Sequence, residues 1–512
     1  MGSTFGGLEV AKRGLFAQQS ALHTTGHNIS NANTEGYTRQ RVNFESSGPY
    51  PPASRNRPEI PGQVGSGVQI GAIERIRVGY LDDQYRSENN KAGYYEARAD
   101  ELGRLEEIMN EPSEDGLSKT MDRFWNSLQD LAVNPEDSGA RSVVRQRGQA
   151  VAETFNYLSN TLNNVQEDIS AEIEVTTKEI NSMANQINNL NQQIAEVEPH
   201  GMVPNDLYDE RDNLIDKLSG HVNIDVSYEE PPSSADPMAT GKANITIIGE
   251  NGAALKPNLV NGADNSTNEL TVNSNGEGLT TSVGLGGGAM TVEDFTSIGK
   301  LKGLMDSGGY LNNDGGAVGT YENMLRDLDK MATGFTEAFN EVHKSGESLN
   351  SVADDVEVPA FFEVLGEKNE EGVIEGLAGQ LDITDEIKAD ADHIAAADEA
   401  LSGNGDNASA LANVQNDANE LFGEETSLDD YYESMIGAMA VETQEAQRMQ
   451  GNTTTLKDSV QQQRESVSSV SLDEEMTNMI KFQHAYNASA RNITVVDEML
   501  DRIINQMGVV GR

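Results

Sequence analysis

Cysteine is absent from all 512 residues. That absence excludes disulfides, Cys-ligated zinc, iron–sulfur clusters and thiol nucleophiles together. Long apolar runs are missing too: no stretch approaches the roughly 18 consecutive apolar residues of a membrane helix. Positive charge is scarce, with 36 Lys and Arg against 84 Asp and Glu and a formal net charge of −48. Nucleic acid and anionic bilayers are bound through Lys and Arg, so neither is expected as a partner. The acidity reads first as solubility, in saline or alkaline surroundings. "MGSTFGGLEVAKRGLFAQQS" has neither an apolar h-region nor a small-residue cleavage site, so no cleaved Sec signal is expected there. A specialised export route that leaves the sequence uncut stays open.

The charge is unevenly spread. Residues 347–430 hold two lysines, no arginine and many carboxylates, whereas residues 1–60 hold six Lys or Arg against four Glu. The ends and the middle therefore face different surroundings. A chain of this length has about three domains as its prior.

Leu8, Leu15, Leu22 and Ile29 stand at heptad spacing, with Phe5, Ala11, Phe16 and Ala21 around them. That is a helical seam of coiled-coil spacing. Gly6, Gly7, Gly14 and Gly26 lie within it, each costing about 1 kcal/mol relative to alanine, so this helix is expected to need packing from outside. Asn28, Asn31 and Asn33, followed by Gly36 and Tyr37, form a stop-and-turn signal. "YTRQRVNFES" then alternates as a strand, and "SGPYPPASRNRPEIPG" is a Pro-rich loop.

Helices are expected at Leu81–Met109 and Leu117–Val133, and then in a long segment whose heptads run from Phe155 to Val197 with a four-residue stutter between Ile169 and Ile173. "YDERDNLIDKLSG" is a further short helix. From Val222, "VNIDVSYEE", "ANITIIGE", "ELTVNS" and "LTTSVGL" read as short strands between turn clusters such as Asn251-Gly252 and Asn261-Gly262. Helix returns at Tyr321–Lys344, and a β-like or loose acidic section follows to about 425. Tyr432, Met439, Ala446, Thr453, Val460 and Val467 again keep heptad spacing. So do Leu472, Met479, Tyr486, Ile493, Leu500 and Met507, with Phe482, Val496 and Ile503 at the companion position; Gly508 and Gly511 close the pattern. The fold class is mainly α with inserted β-rich domain(s). A one-sided apolar stripe of this length must be buried against something.

"TTGHNISNANTEGYTRQ" resembles the N-terminal motif of the bacterial flagellar axial proteins (rod, hook and hook-associated proteins). "MTNMIKFQHAYNASARNITVVDEMLDRIINQMG" resembles their C-terminal helix. The Asn/Gln-rich helix at 141–197 followed by "LYDERDNLIDKLS" points to the hook-associated branch. The resemblance implies a long coiled-coil-like bundle made by the N- and C-terminal parts, with the β-rich insertion directed outward. It divides the chain into 1–45 plus 466–512 as the axial part, 46–221 plus 301–346 plus 426–465 as the helical body, 222–300 as a β insert and 347–425 as an acidic insertion. Leu8, Leu15, Leu22 and Ile29 are then the assembly interface against Met479, Phe482, Tyr486, Ile493 and Leu500. Asn28, Asn31, Asn33, Gly36 and Tyr37 are the junction where the inner helix turns outward. The implied partners are the hook protein, hook-associated protein 3, further copies of the chain in a ring, and an export chaperone on the C-terminal helix. The implied place is the flagellum outside the cell, reached through the flagellar export apparatus. Another hook or rod component, or an exported adhesin or enzyme carried by the β insert, are the competing readings.

Other motifs carry little chemistry. His23 and His27 have metal-pair spacing, but Thr24 stands where a zincin needs Glu, and no third ligand is evident. "GLGGGA" at 284–289 and "GQVGSG" at 62–67 complete no nucleotide-binding pattern. "SGNGDNAS" at 402–409 lacks the spaced ligands of an EF-hand. No catalytic constellation stands out, so no cofactor, metal or enzymatic activity is expected. Trp125, the single tryptophan, lies beside Met121 and Leu128 as a core residue.

Overall fold

A computed structural model describes residues 4–48, 65–109, 116–276, 278–354, 356–419, 421–423 and 426–506. Most of the Pro-rich loop, Met507, Gly508 and Gly511 lie outside the described residues, as do the side chain of Phe5 and residues 62–64 of the glycine-rich stretch. The chain starts with α1 (Thr4–Ser30), the hairpin β1 (Gln40–Ser46) and β2 (Val68–Arg75), then α2 (Gly79–Met109), α3 (Leu117–Val133), α4 (Ser138–Val197) and α5 (Asn205–His221). The insert that follows contains β3 (Ile224–Tyr228), β4 (Ala243–Ile248), β5 (Ala254–Asn261), β6 (Ser266–Thr267), β7 (Leu270–Ser274), β8 (Thr280–Leu285) and β9 (Gly288–Met290). Next come α6 (Lys300–Gly308), β10 (Tyr310–Leu311), β11 (Ala317–Val318) and α7 (Thr320–Ser345). The acidic section holds α8 (Leu349–Asp354), β12 (Phe362–Glu363), β13 (Asp382–Ile383), α9 (Asp385–Ala389) and α10 (Asp406–Asn413). The long α11 (Leu428–Ser468) and α12 (Leu472–Asp501) follow, and a π-helical turn over Arg502–Gln506 is the last described element.

Apolar periodicity explains the helical body. On α4, Phe155, Leu158, Leu162, Ile169, Ile173, Ile180, Ile187, Leu190 and Ile194 are all buried. Both residues flanking the stutter are among them, so the helix passes through it unbroken, as a local unwinding allows. The helix starts 17 residues before Phe155, at the Asp137 cap, whose side chain accepts from the Gly139 N–H. α2 runs antiparallel along α11, joined at one end by Arg464–Asp82 (3.0 Å) and toward the other by Arg98–Glu442 (3.9 Å). Trp125 packs with Phe124, Phe335 and Phe339 at ring separations of 5.2–6.2 Å. Phe361 and Phe362 enter the same cluster. The acidic section read from sequence as β-like or loose is thus pinned to the body by two adjacent phenylalanines, and its strands are only two residues long.

The insert forms two small sheets, one antiparallel in the order β3-β4-β5-β6 and one in the order β11-β10-β8-β7 with β9 on β8. What ties them to α4 is asparagine. A side-chain amide offers a donor and an acceptor side by side, as a peptide group does. Asn191 accepts from the Ala243 N–H at 2.9 Å and donates to its carbonyl at 2.9 Å. Asn181 does the same to Leu270, at 2.9 and 2.7 Å. Asn340 on α7 holds Phe361 and Phe362 in this manner. The Asn-rich face of α4 therefore acts as a substitute strand edge. Asn191→Ala leaves two buried backbone groups of Ala243 unpaired and is expected to cost about 2–4 kcal/mol in denaturant unfolding, while exposed Asn189→Ala stays near zero.

His343, fully buried on α7, contacts the Pro359 carbonyl through Nδ1 and accepts the Ala395 N–H at Nε2, both at 3.0 Å. That pattern requires the neutral ring, and burial pushes its pKa down from 6.5 to about 4. The unfolded chain binds the proton more strongly, so the contribution is complete above pH 6.5 and is lost as pH falls toward 4. Unfolding free energies measured across that window should fall by about 3 kcal/mol more for the natural chain than for His343→Gln.

Candidate assembly interface

The terminal helices α1 and α12 pack against each other. A Cβ on Gly7 would stand 3.9 Å from Val496, and one on Gly14 would stand 3.1 Å from the Ser489 hydroxyl. Seven residues forward on α1 correspond to seven backward on α12, so the pair is antiparallel. Glycines that weaken an isolated helix here let two backbones approach closely. α1 is continuous through them because it is packed on α12 and on the β1–β2 hairpin. Ala11, Ala17 and Ala21 are buried, while Leu8, Leu15, Leu22 and Ile29 are half-buried beside them. Met479, Phe482, Tyr486, Ile493 and Leu500 are also half-buried. Phe482 meets Phe44 of β1 edge-on at 6.0 Å.

The other sides of the pair stay open. Phe16 is 55 % exposed, and Met476, Ile480, Val495, Met499 and Ile503 lie between 45 % and 57 %. Among the described residues no helix is long and apolar enough to cross a membrane, and no metal-holding cluster is present. His23 is exposed; His27 instead lies against Tyr37.

The junction residues separate into distinct roles. Asn28, 1 % exposed, pairs with Gln40 as the other clamps do, donating to its carbonyl at 2.8 Å and accepting its N–H at 3.0 Å. It thereby supplies β1 with a partner at the point where α1 ends. Tyr37 donates to the same Asn28 oxygen at 2.7 Å, and its hydroxyl lies 3.0 Å from His27 Nδ1. Burial, then Asp206 and Asp209, push the Tyr37 pKa up, keeping the hydroxyl protonated as a donor. Asn31 turns back to the His27 carbonyl, and Asn33 is exposed. Gly36 has φ 77°, and a Cβ there would meet Asn213 at 2.9 Å, so glycine is required twice over.

Beneath the junction lies a buried ionic network that the sequence reading passed over. Arg75 bridges Asp209 and Asp212 at 2.9 and 2.8 Å. Arg77 binds Asp82 and Asp212, and Arg86 and Arg464 converge on Asp216. Burial by itself would raise the Asp212 carboxyl, but Arg77, Arg75 and Arg211 hold it well below the ordinary carboxylate range. The network joins the hairpin, α2, α5 and α11, and the Thr38 N–H adds a 3.0 Å bond to Asp209. One signal was available: in "YDERDNLID", Asp209, Asp212 and Asp216 share one helix face, and a row of carboxylates facing inward needs cations.

Three comparisons bear on identity. Residues 102–356 match the family described as flagellar hook-associated protein FlgK helical domain. Residues 8–38 match the flagella basal body rod protein family, and residues 461–507 the flagellar basal body rod FlgEFG protein C-terminal family. Flagellar hook-associated protein 1 of Bacillus subtilis (strain 168) is 46 % identical over 514 residues, covering 100 % of both chains. That of Escherichia coli (strain K12) is 25 % identical, covering 97 % of this chain and 98 % of its own. The structure of the flagellar hook junction protein FlgK from Burkholderia pseudomallei superposes with a TM-score of 0.58 at 14 % identity, over 76 % of this chain and 100 % of that one, and shares its fold.

Paired terminal helices on a helical body with β insertions, together with these matches, define a structural protein of the bacterial flagellum, of the class that works in association with other flagellar components. Within that class the chain belongs to the flagellar hook-associated protein 1 family.

The packing of α1 generates a prediction. Gly14→Leu should force α12 away and expose it to protease, measured as faster cleavage within 472–501. Gly6→Ala, with nothing within 4 Å of its Cβ, should leave the cleavage rate unchanged.

Proposed function

We propose that this chain joins the flagellar hook to the filament, without catalysis, as a ring of copies within the axial tube. The supporting observation is the terminal pair. α1 and α12 cover one side of each other and leave Phe16, Met476, Ile480, Val495 and Met499 on the surface. Apolar surface of this extent on paired helices calls for further protein neighbours. In this reading the hook protein lies on one side of the ring and hook-associated protein 3 on the other. The axial part, 1–45 with 466–512, lines the channel. The helical body (46–221, 301–346 and 426–465) surrounds it, with the inserts at 222–300 and 347–425 outermost, where strong acidity suits water. Leu8, Leu15, Leu22, Ile29, Met479, Phe482, Tyr486, Ile493 and Leu500 carry the assembly contacts, and Asn28, Asn31, Asn33, Gly36 and Tyr37 set the turn toward the body.

The chain leaves the cell unfolded through the flagellar export apparatus, and a chaperone shields α12 until then. Freedom from disulfides and a helix rich in glycine suit such passage, with order gained on docking. Deleting residues 472–512 should yield a soluble protein that fails to incorporate, so that cells carry hooks without filaments. Immunogold label against the intact protein should form one band at the filament base. Normal filaments on the truncated protein, or label along the whole filament, would overturn the proposal.

A further inference from the structure

Two segments carry the chain between the terminal unit (α1, hairpin, α12) and the body: residues 76–78, from β2 to α2, and residues 469–471, from α11 to α12. Arg39 is bonded beside both. Its N–H donates to the Ser468 carbonyl at 2.9 Å, and its own carbonyl accepts the Ile76 N–H at 2.8 Å. Its guanidinium reaches the first turn of α12, with Nε 2.7 Å from Glu475 and Nη1 2.9 Å from Glu474. Glu475 is 2 % exposed, whereas the apolar residues of α12 are at best half-buried. The most deeply placed side chain of the helix is thus a carboxylate whose partner is Arg39.

Little else braces α12 against the body. Among the described residues, its ion pairs to other elements are those with Arg39. The junction loop packs on α5 at Gly36, against Asn213, and open clefts of about 380 and 360 Å³ flank it on its other sides. The ionic network below holds the hairpin base to α2, α5 and α11 but does not reach α12.

We propose that the Arg39 side chain is the positioning group that sets the angle of α12, and with it the terminal helix pair, relative to the body. It latches the first turn of α12 to a stretch of main chain that is itself bonded to Ser468 at the end of α11 and to Ile76. With the latch closed, the pair is presented in one attitude. With it released, the clefts around residues 32–37 give the pair room to tilt. The proposal concerns the single chain in solution and does not depend on which neighbours it meets in the flagellum.

The absence of cysteine makes the test direct. Spin labels on Leu456→Cys of α11 and Asn487→Cys of α12, both exposed, report the angle as a distance distribution in pulsed dipolar spectroscopy of the full chain. The distribution should be narrow with Arg39 present and at least twofold broader in Arg39→Ala and in Glu475→Gln, with Trp125 emission unchanged because the body core stays intact. A width unaltered in either variant would overturn the proposal. So would loss of the buried Trp125 emission in Arg39→Ala, since Arg39 would then be a folding residue of the body.

Discussion

Where a chain passes from one packed unit to another, its backbone amides leave one set of partners before reaching the next, and any left buried and unpaired is costly. The organisation of this molecule follows from how that problem is met. At the end of α1 the Asn28 amide takes the place of a peptide group for Gln40. Asn191 and Asn181 do so for the insert sheets, and Asn340 does so for the acidic section. These four attachments between a helix and an irregular or extended segment share one kind of pairing, an asparagine amide set against main-chain N–H and C=O groups. The device is directional, so it specifies orientation as well as contact.

Charge works differently on the two scales of the molecule. Over the surface, the excess of carboxylates is a solvated field with little structural consequence. Inside, at the meeting of the hairpin, α2, α5 and α11, a few arginines and aspartates pair with one another. Removing one partner from such a set leaves an uncompensated buried charge, a penalty of about 3–5 kcal/mol, which makes the base of the terminal unit a rigid platform. The terminal pair above it is the opposite case. It is long, only half covered and open on its outer sides, as suits a unit completed by flagellar neighbours.

Local pattern and tertiary context contributed unequally. α3 spans the residues read from its apolar stripe, and α7 exceeds its expected range by one residue at each end. In both, the side chains that pack the core recur at helical spacing. α4, read as a helix over 141–197, begins three residues earlier at Ser138, where the Asp137 cap rather than the apolar repeat sets its start. The acidic section carries its two short strands, Phe362–Glu363 and Asp382–Ile383, within the stretches read as β-like, but its attachment to the body was not legible, because two adjacent phenylalanines, Phe361 and Phe362, have no periodicity. Similarly, α6 and β5 lie in a Gly- and Asn-rich region where neither period is sustained.

The same division holds at the candidate interface. Sequence alone determined that both ends form helices with one apolar edge and that the chain turns between Asn28 and Tyr37, because heptad spacing and Asn/Gly turn chemistry are local properties. It could not tell the three asparagines apart: Asn28 is buried against Gln40, Asn31 bonds its own helix, and Asn33 faces solvent. Nor could it show that Gly7 and Gly14 face Val496 and Ser489 of α12. The pairing of Arg39 with Glu475, 436 residues away, and of Arg464 with Asp216, 248 residues away, arises only when the chain folds back on itself. Those partners are chosen by three-dimensional proximity, and no periodicity in a linear chain encodes it.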